Sequence, residues 1–317
     1  RARSGGRRLS LDLVCIGEPL VELNQTRPGE PELLLGHGGD TSNCAIAAAR
    51  QGLRVGYWTR LGADAFGDTF MELWRREGVD ASLVPRDPVA PTGAYFVGHG
   101  PAGHSFSYLR NGSAASRMRP EELPEAWLRQ ARILHASAIS QAISSTACDT
   151  VFRAFEIVRS AGGIVAYDTN YRPRLWPAPR ARAIVNEAAR QATILLPGLD
   201  DARALSGLED PDRIVDFYLG LGPSIVALTL GAAGALVATA ERRERLAPHR
   251  VQAVDATGAG DAFDGAFLAE YLRTGDPFAA GRWANAAAAL ATTGFGAVAP
   301  LPTHAAVEAF LAGEAGR

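Results

Sequence analysis

The segment VDATGAGDAFDGAF at 254–267 gathers small residues and carboxylates where a loop meets a helical pattern that runs on through Tyr271. Gly258, Ala259 and Gly260 carry too little bulk to keep successive backbone N–H groups apart. Those groups can therefore converge on one anion, and the positive end of the helix dipole adds to their pull. A phosphate suits that point. Asp261 brings a carboxylate to its rim, able to take a proton from a hydroxyl as a phosphoryl group moves onto that oxygen. The alternative reading makes Asp261 the N-cap of the helix, a common job for Asp after glycines.

A second constellation stands at GGDTSN, residues 38–43, ahead of the helical stretch CAIAAARQG. Gly39 allows close backbone approach, and Asp40, Thr41, Ser42 and Asn43 offer hydrogen-bonding groups of the kind a polyhydroxylated ligand needs. Helix capping by Asp40, Thr41 or Ser42 explains the same residues without a ligand. The chain contains no lysine, so its 32 basic residues are all arginine. A Walker-type phosphate loop, which requires Lys, is thereby excluded.

The elements that must position these groups alternate along the chain. Apolar runs at 13–17, 55–61, 132–137, 164–168, 193–197 and 225–231 read as strands, and amphipathic stretches at 41–51, 66–77, 146–161, 179–191 and 210–221 read as helices. That alternation predicts an α/β fold, a doubly wound, mostly parallel sheet flanked by helices. Ligands in such folds collect beyond the carboxyl ends of the strands, where Asp168, Gly231 and the 255–261 turn fall. Residues 18–36 and 92–110 break the pattern with alternating polar and apolar residues and Gly/Pro turns, and predict a small β-sheet. It reads as a lid that keeps water from a phosphoryl-transfer site. Its rival is an extra antiparallel edge of the main sheet.

The 317 residues with 47% hydrophobic content suffice for one large core, and the formal charge of −2 points to neither nucleic acid nor an anionic membrane as partner. Residues 1–10 are expected to be a tail, and 11–317 one domain. Cys15, Cys44 and Cys148 are far apart in apolar or small-residue settings, which suits reduced thiols in a cytoplasmic protein. No apolar run is long enough to span a membrane, and no signal sequence is expected.

The pair GGDTSNCAIAAARQG and VDATGAGDAFDGAF, in this order and spacing, resembles the two signature regions of the ribokinase-like (PfkB) carbohydrate kinases. DTNYRPRLW at 168–176 and YLRNGSAAS at 108–116 are similar to segments of 2-keto-3-deoxygluconate kinases, and the likeness runs from about Leu13 to Pro300. The resemblance implies a ribokinase-like fold in which ATP and a sugar meet under a β-lid. Asp261 would then be the catalytic base, with Gly258, Ala259 and Gly260 as the anion hole.

On the acceptor side the resemblance implies Gly39, Asp40, Asn43, Tyr95, Tyr108, Arg110 and Arg172 around a sugar acid, and the planar forks of Arg110 and Arg172 suit its carboxylate. On the nucleotide side it implies Asn170, Arg172, Thr229, Gly231, Gly234, Gly258, Gly260 and Asn285. The expected partners are ATP and Mg²⁺, with a monovalent cation as a further candidate. One segment departs from the family pattern: Gly198-Leu199-Asp200-Asp201 stands where many members have Asn-x-x-Glu. Asp201 is the candidate metal ligand there, through water.

The leading expectation is an ATP-dependent kinase for 2-keto-3-deoxygluconate. Fructokinase, ribokinase or nucleoside kinase is the alternative within the family, and a non-catalytic nucleotide or sugar sensor the alternative outside it. A Rossmann dehydrogenase is disfavoured, because no GxGxxG follows the first strand. Apolar lid faces often pair in such kinases, so a homo-oligomer, a dimer or higher, is expected.

Overall fold

Leu13 and Cys15 pack into one hydrophobic cluster while the intervening Val14 and Ile16 pack into another. A strand whose side chains alternate between two buried faces needs cover on both sides. The computed structural model describes residues 11–25, 27, 31–100 and 103–315, so the expected tail at 1–10 lies outside the described residues. In chain order the strands are β1 (Leu13–Ile16), β2 (Leu20–Gln25), β3 (Leu33–Gly38), β4 (Val55–Trp58), β5 (Leu61–Gly62), β6 (Arg86–Asp87) and β7 (Ala94–Gly100). There follow β8 (Gly103–Leu109), β9 (Ile133–Ser137), β10 (Ile164–Asp168), β11 (Ile194–Leu196), β12 (Ile225–Thr229), β13 (Ala235–Ala238) and β14 (Arg243–Leu246).

The body sheet has eight strands in the order β14-β13-β12-β11-β10-β9-β1-β4. Every neighbouring pair from β12 through β4 is parallel, and β13 and β14 add an antiparallel end. The expected amphipathic stretches form the helices Asp40–Arg50, Ala65–Glu77, Ser145–Ser160, Ala178–Gln191 and Pro211–Leu221. Two strand boundaries differ from expectation. The run at 55–61 stops at Trp58, because Leu61 leaves the body sheet to pair with Arg86 and Arg60 is tied to Asp87 at 2.9 Å. The run at 225–231 stops at Thr229, where the chain folds back through a 3₁₀ turn, Gly231–Ala233, into β13.

The lid is a separate four-stranded sheet in the order β3-β2-β7-β8, so it is no edge of the body sheet. β7 and β8 form an antiparallel hairpin, with Tyr95 opposite Tyr108, and β2 runs parallel to β7, with Glu22 opposite Tyr95. Leu35 and Leu109, exposed by 49% and 65%, share by register the lid face opposite Tyr95 and Tyr108, which leaves that face apolar and open. Cys15, Cys44 and Cys148 are buried free thiols. Among the described residues no helix is long and apolar enough to cross a membrane.

Candidate active site

The two signature segments form two helices in backbone contact. A Cβ on Gly265 would stand 2.6 Å from both the Ala47 Cβ and the Cys44 carbonyl oxygen, so glycine lets the helix Ala259–Thr274 lie directly on Asp40–Arg50. That contact brings Asn43 to Asp261, and the Asn43 Nδ2 donates to Asp261 Oδ2 at 2.8 Å. Gly258 turns the chain into the helix at φ 77°, a left-handed conformation that favours glycine, and a Cβ there would press on the Ala297 carbonyl at 2.9 Å.

The helix cap is Gly258 and no side chain caps it, so Asp261 lies in the first turn and is not the N-cap. Gly39 likewise caps the other helix without a side-chain bond. Asp40, Thr41 and Ser42 are engaged elsewhere: Asp40 Oδ2 accepts from Asn170 Nδ2 at 2.8 Å, Thr41 Oγ1 meets the Tyr57 hydroxyl at 3.0 Å, and Ser42 Oγ accepts from Trp74 Nε1 at 3.0 Å. Asp40 Oδ1 accepts the first-turn Thr41 N–H at 2.8 Å, so local helix bonding accounts for one oxygen of Asp40 but for neither Asn43 nor Asp261. The first bond of the helical ladder runs from Ala262 N–H to Gly258 at 2.8 Å, which leaves Gly260 and Asp261 ahead of it. The Ala259 N–H instead closes a turn on Ala256 at 3.2 Å, and Ala259 does not line the cleft. The expected three-residue anion hole is corrected to that extent.

These residues open on a cleft of about 1280 Å³ between body and lid. Burial pushes the Asp261 carboxyl up to about 7, the Asp40 charge pushes the same way, and Asn43 and Arg172 oppose them. A carboxylate half ionised near neutrality is matched to accepting a proton. Asp168 at the end of β10 is raised well above the carboxylate range, by burial and then by Asp40. Asp264, one turn beyond Asp261 and 4% exposed, is raised by burial and then by Asp168.

Gly39, Asp40, Asn43, Tyr95, Tyr108, Arg110 and Arg172 all reach the cleft, as expected of an acceptor site. Two of them are not free as expected. Arg110 gives its Nε to Glu18 Oε2 at 2.8 Å and its Nη2 to the same oxygen, while Ser113 Oγ donates to Glu18 Oε1. One edge of the Arg110 fork is thus spent on a fully buried counter-charge, which corrects the reading of Arg110 as an open carboxylate fork. The Tyr95 hydroxyl donates to Glu22. Tyr108 is 41% exposed on the lid.

Thr229, Asn170, Arg172, Gly258 and Gly260 line the cleft too, but Gly231, Gly234 and Asn285 do not. Gly234, at φ 93°, turns its backbone against Leu246, where a Cβ would come 2.1 Å from the carbonyl oxygen. Asn285 Nδ2 donates to the Ala247 carbonyl at 2.8 Å. Both therefore hold the β13–β14 end of the sheet, and Gly231 begins the turn between β12 and β13.

Asp201 lines the cleft, with its Oδ2 3.8 Å from Arg172 Nη1, and burial raises its carboxyl to about 6 against the pull of Arg172. Among the described residues no group of three or more His, Cys, Asp or Glu side chains could hold a metal ion. Asp201, as a single carboxylate on the cleft wall, fits magnesium, which keeps several waters and rides on phosphates with one or two carboxylates.

Glu18, Asp264 and Arg174 also line the cleft and were not expected to. A charged residue two positions after the wholly buried β1 is a signal for Glu18, and the i, i+3 spacing from Asp261 is one for Asp264. Nothing in the local sequence marks Arg174 beyond its place in the loop after β10.

The profile of the pfkB family carbohydrate kinases matches residues 10–304. A relative from Thermoproteus tenax, a 2-dehydro-3-deoxygluconokinase, is 36% identical over 95% of this chain and 94% of its own. A probable fructokinase-4 of Arabidopsis thaliana is 31% identical over 95% of this chain and 97% of its own. Among solved structures, a putative ribokinase II from E. coli in complex with ATP and Mg²⁺ superposes with a TM-score of 0.88 at 26% identity, covering 95% of this chain and 99% of that one.

Proposed function

Because the chain belongs to the pfkB family of carbohydrate kinases, we propose that it transfers the γ-phosphoryl group of ATP to 2-keto-3-deoxygluconate (2-dehydro-3-deoxygluconate), giving 2-keto-3-deoxy-6-phosphogluconate. The observation that carries the phosphoryl transfer is Asp261, partly buried in the first turn of its helix and held by Asn43 at 2.8 Å. The substrate reading is supported by full-length similarity to 2-dehydro-3-deoxygluconokinases at 36% and 31% identity and by arginines along the cleft.

In this reading the acceptor's terminal hydroxyl lies against Asp261 and the triphosphate points at Gly258 and Gly260. The hydroxyl oxygen forms a bond to the γ-phosphorus as the bond to the β,γ-bridging oxygen breaks. ADP leaves with that electron pair, and the hydroxyl proton passes to Asp261 Oδ. Asn43 fixes the carboxylate's direction. The backbone N–H groups of Gly260 and Asp261 and the helix dipole steady the charge spread over the phosphoryl oxygens. Magnesium, when bound with ATP, supplies neutralisation of the triphosphate, with Asp201 as its protein partner through water. The lid covers the acceptor and excludes water as a competing nucleophile.

A neutral sugar is the second reading. It is favoured by the Glu18 counter-charge on Arg110 and by the similarity to fructokinases. ADP release with ATP and Mg²⁺, offering 2-keto-3-deoxygluconate, fructose, ribose and adenosine in parallel, separates the readings. Turnover confined to the keto acid supports the first, and turnover on fructose the second. The exposed leucines of β3 support pairing of two copies through the lid; light scattering that finds only monomer would exclude it.

A further inference from the structure

The helix Asp40–Arg50 reaches the Gly258 turn from both of its ends. Asn43 and Arg50 stand at i and i+7, two turns and about 10 Å apart on one face of the helix, with Ala47, packed on Gly265, between them. Asn43 holds the Asp261 carboxylate. Arg50 holds backbone: its Nη1 donates to the carbonyls of Val298 at 3.0 Å and Leu301 at 2.7 Å. Its Nε and Nη2 donate to the two carboxylate oxygens of Glu77 at 2.9 and 2.8 Å. The side chains of Arg50 and Glu77 are each only 19% exposed, and this two-point pair fixes the plane of the guanidinium and so the direction in which Nη1 points.

The segment held in this way is the one that backs the turn. The Thr292 carbonyl accepts from the N–H groups of Val254 and Asp255 at 2.7 and 3.1 Å, and the Gly296 N–H donates to Asp255 Oδ2 at 2.9 Å. Gly258 lies against the backbone of Ala297, which itself lines the cleft. Residues 292–301 are therefore the support on which residues 254–258 rest, and Arg50 fastens it at Val298, the residue next to Ala297. A turn that aims N–H groups at a transferring phosphoryl group works only while it is held in place, since a shift of about 1 Å costs on the order of 10²-fold in rate. We infer that Arg50 is a positioning residue for phosphoryl transfer. Through Val298 and Ala297 it sets the Gly258 turn so that the N–H groups of Gly260 and Asp261 meet the phosphoryl oxygens, although Arg50 does not itself line the cleft. One helix thus aims both the proton acceptor, by Asn43, and the anion site, by Arg50. This inference rests on the phosphoryl-transfer reading above.

The test compares wild type with Arg50→Gln and Arg50→Lys, using the acceptor on which the wild type is most active, with thermal melts to confirm the fold. For Arg50→Gln, kcat is expected to fall by about 10- to 100-fold, short of the ~10²- to 10³-fold cost of losing an oxyanion donor outright. KM for ATP and for the acceptor should stay within about threefold, because ground-state binding does not depend on the exact aim of these N–H groups. Arg50→Lys keeps a charged donor for the carbonyls and should recover part of kcat. A kcat within twofold of wild type, a loss confined to KM, or a Lys variant no better than Gln would overturn the inference. Amide hydrogen exchange gives a readout that needs no turnover. In Arg50→Gln, peptides covering 254–262 and 292–301 should exchange about tenfold faster while β1 and the lid strands stay unchanged. Equal acceleration in every peptide reports a general loss of stability and refutes the inference, as does no acceleration at 254–262. Should the wild type turn over no acceptor, the phosphoryl-transfer reading fails, and exchange still decides whether Arg50 holds the Gly258 turn. Should Arg50→Gln not fold, Glu77→Gln carries the same test: releasing the Nε–Nη2 edge should lower kcat about threefold and speed exchange at 292–301, and no change in either refutes the inference.

Discussion

Asn43 and Asp261, 218 residues apart in the chain, are joined by a 2.8 Å hydrogen bond in which the amide donates to the carboxylate. A donor aimed at the ionised form favours ionisation, so the amide holds the Asp261 carboxyl below where burial and Asp40 alone would push it. Asp261 can accept a proton only when ionised. Activity governed by this group in the free enzyme should rise with pH through about 7. Asn43→Ala is expected to move that acid limb to higher pH, with a larger loss of kcat/KM at pH 6 than at pH 9. Asp40→Asn should move it to lower pH. A pH profile of kcat/KM for the three proteins checks both signs, and a limb that ignores both substitutions would remove Asp261 from the role.

Asp261→Asn keeps the shape and the contact with Asn43 but removes the proton acceptor. Turnover should fall by about 10²- to 10⁴-fold, the usual contribution of a positioned acid–base group. ATP affinity, read by a fluorescent nucleotide or calorimetry, should change little. Turnover within threefold of wild type would mean that the carboxylate only orients its neighbours.

The body of the fold was legible because the sheet is buried on both faces: continuous apolar strands and amphipathic helices carry different periods, and both survive in a single sequence. The two glycine-rich segments were legible for a local reason, since Gly39 and Gly258 turn the chain into their helices at φ 104° and 77°, where glycine is favoured. What stayed hidden was long-range pairing. Nothing near Arg110 announces that Glu18, 92 residues earlier, takes one edge of its fork, and nothing near Gly234 or Asn285 announces the strand end they hold in place. Sequence displays the donors and acceptors but not which of them are already satisfied inside the protein.

The Glu18–Arg110 pair should behave as a buried unit. Glu18→Ala leaves the Arg110 guanidinium, 8% exposed, without its counter-charge, and a loss of about 3–5 kcal/mol is expected for breaking such a pair. The same holds for Arg110→Ala in reverse. Urea unfolding of both single variants and the double variant gives the coupling. The double variant should be less destabilised than the sum of the singles, and strict additivity would show that the pair does not act as one.

Gly234 and Gly231 both have positive φ, at 93° and 59°, but only Gly234 faces backbone within reach of a Cβ. Gly234→Ala should therefore cost several times the roughly 1 kcal/mol expected of Gly231→Ala, whose added methyl meets open space. Thermal melts check the ranking. Loss of nucleotide affinity in Gly234→Ala with the melting temperature unchanged would instead assign this glycine to the nucleotide site.

Asp264 links the site to stability with a definite sign. Its carboxyl is raised in the folded protein, by burial first and then by Asp168, while in the unfolded chain it titrates in the ordinary range. Between those two values the native state holds a proton that the unfolded state has released, so the group's contribution to stability falls as pH rises above the unfolded value. Asp264→Asn removes that slope. The variant should therefore gain on wild type as pH rises from 5 to 8, and each 1 kcal/mol of relief corresponds to about 2 °C for a chain of this size. Melting curves of both proteins at pH 5, 6.5 and 8 decide the matter: a gap that widens with pH marks a carboxyl kept protonated by burial and then by its acidic neighbours, whereas a constant gap would mean that Asp264 is equally ionised in the folded and unfolded states.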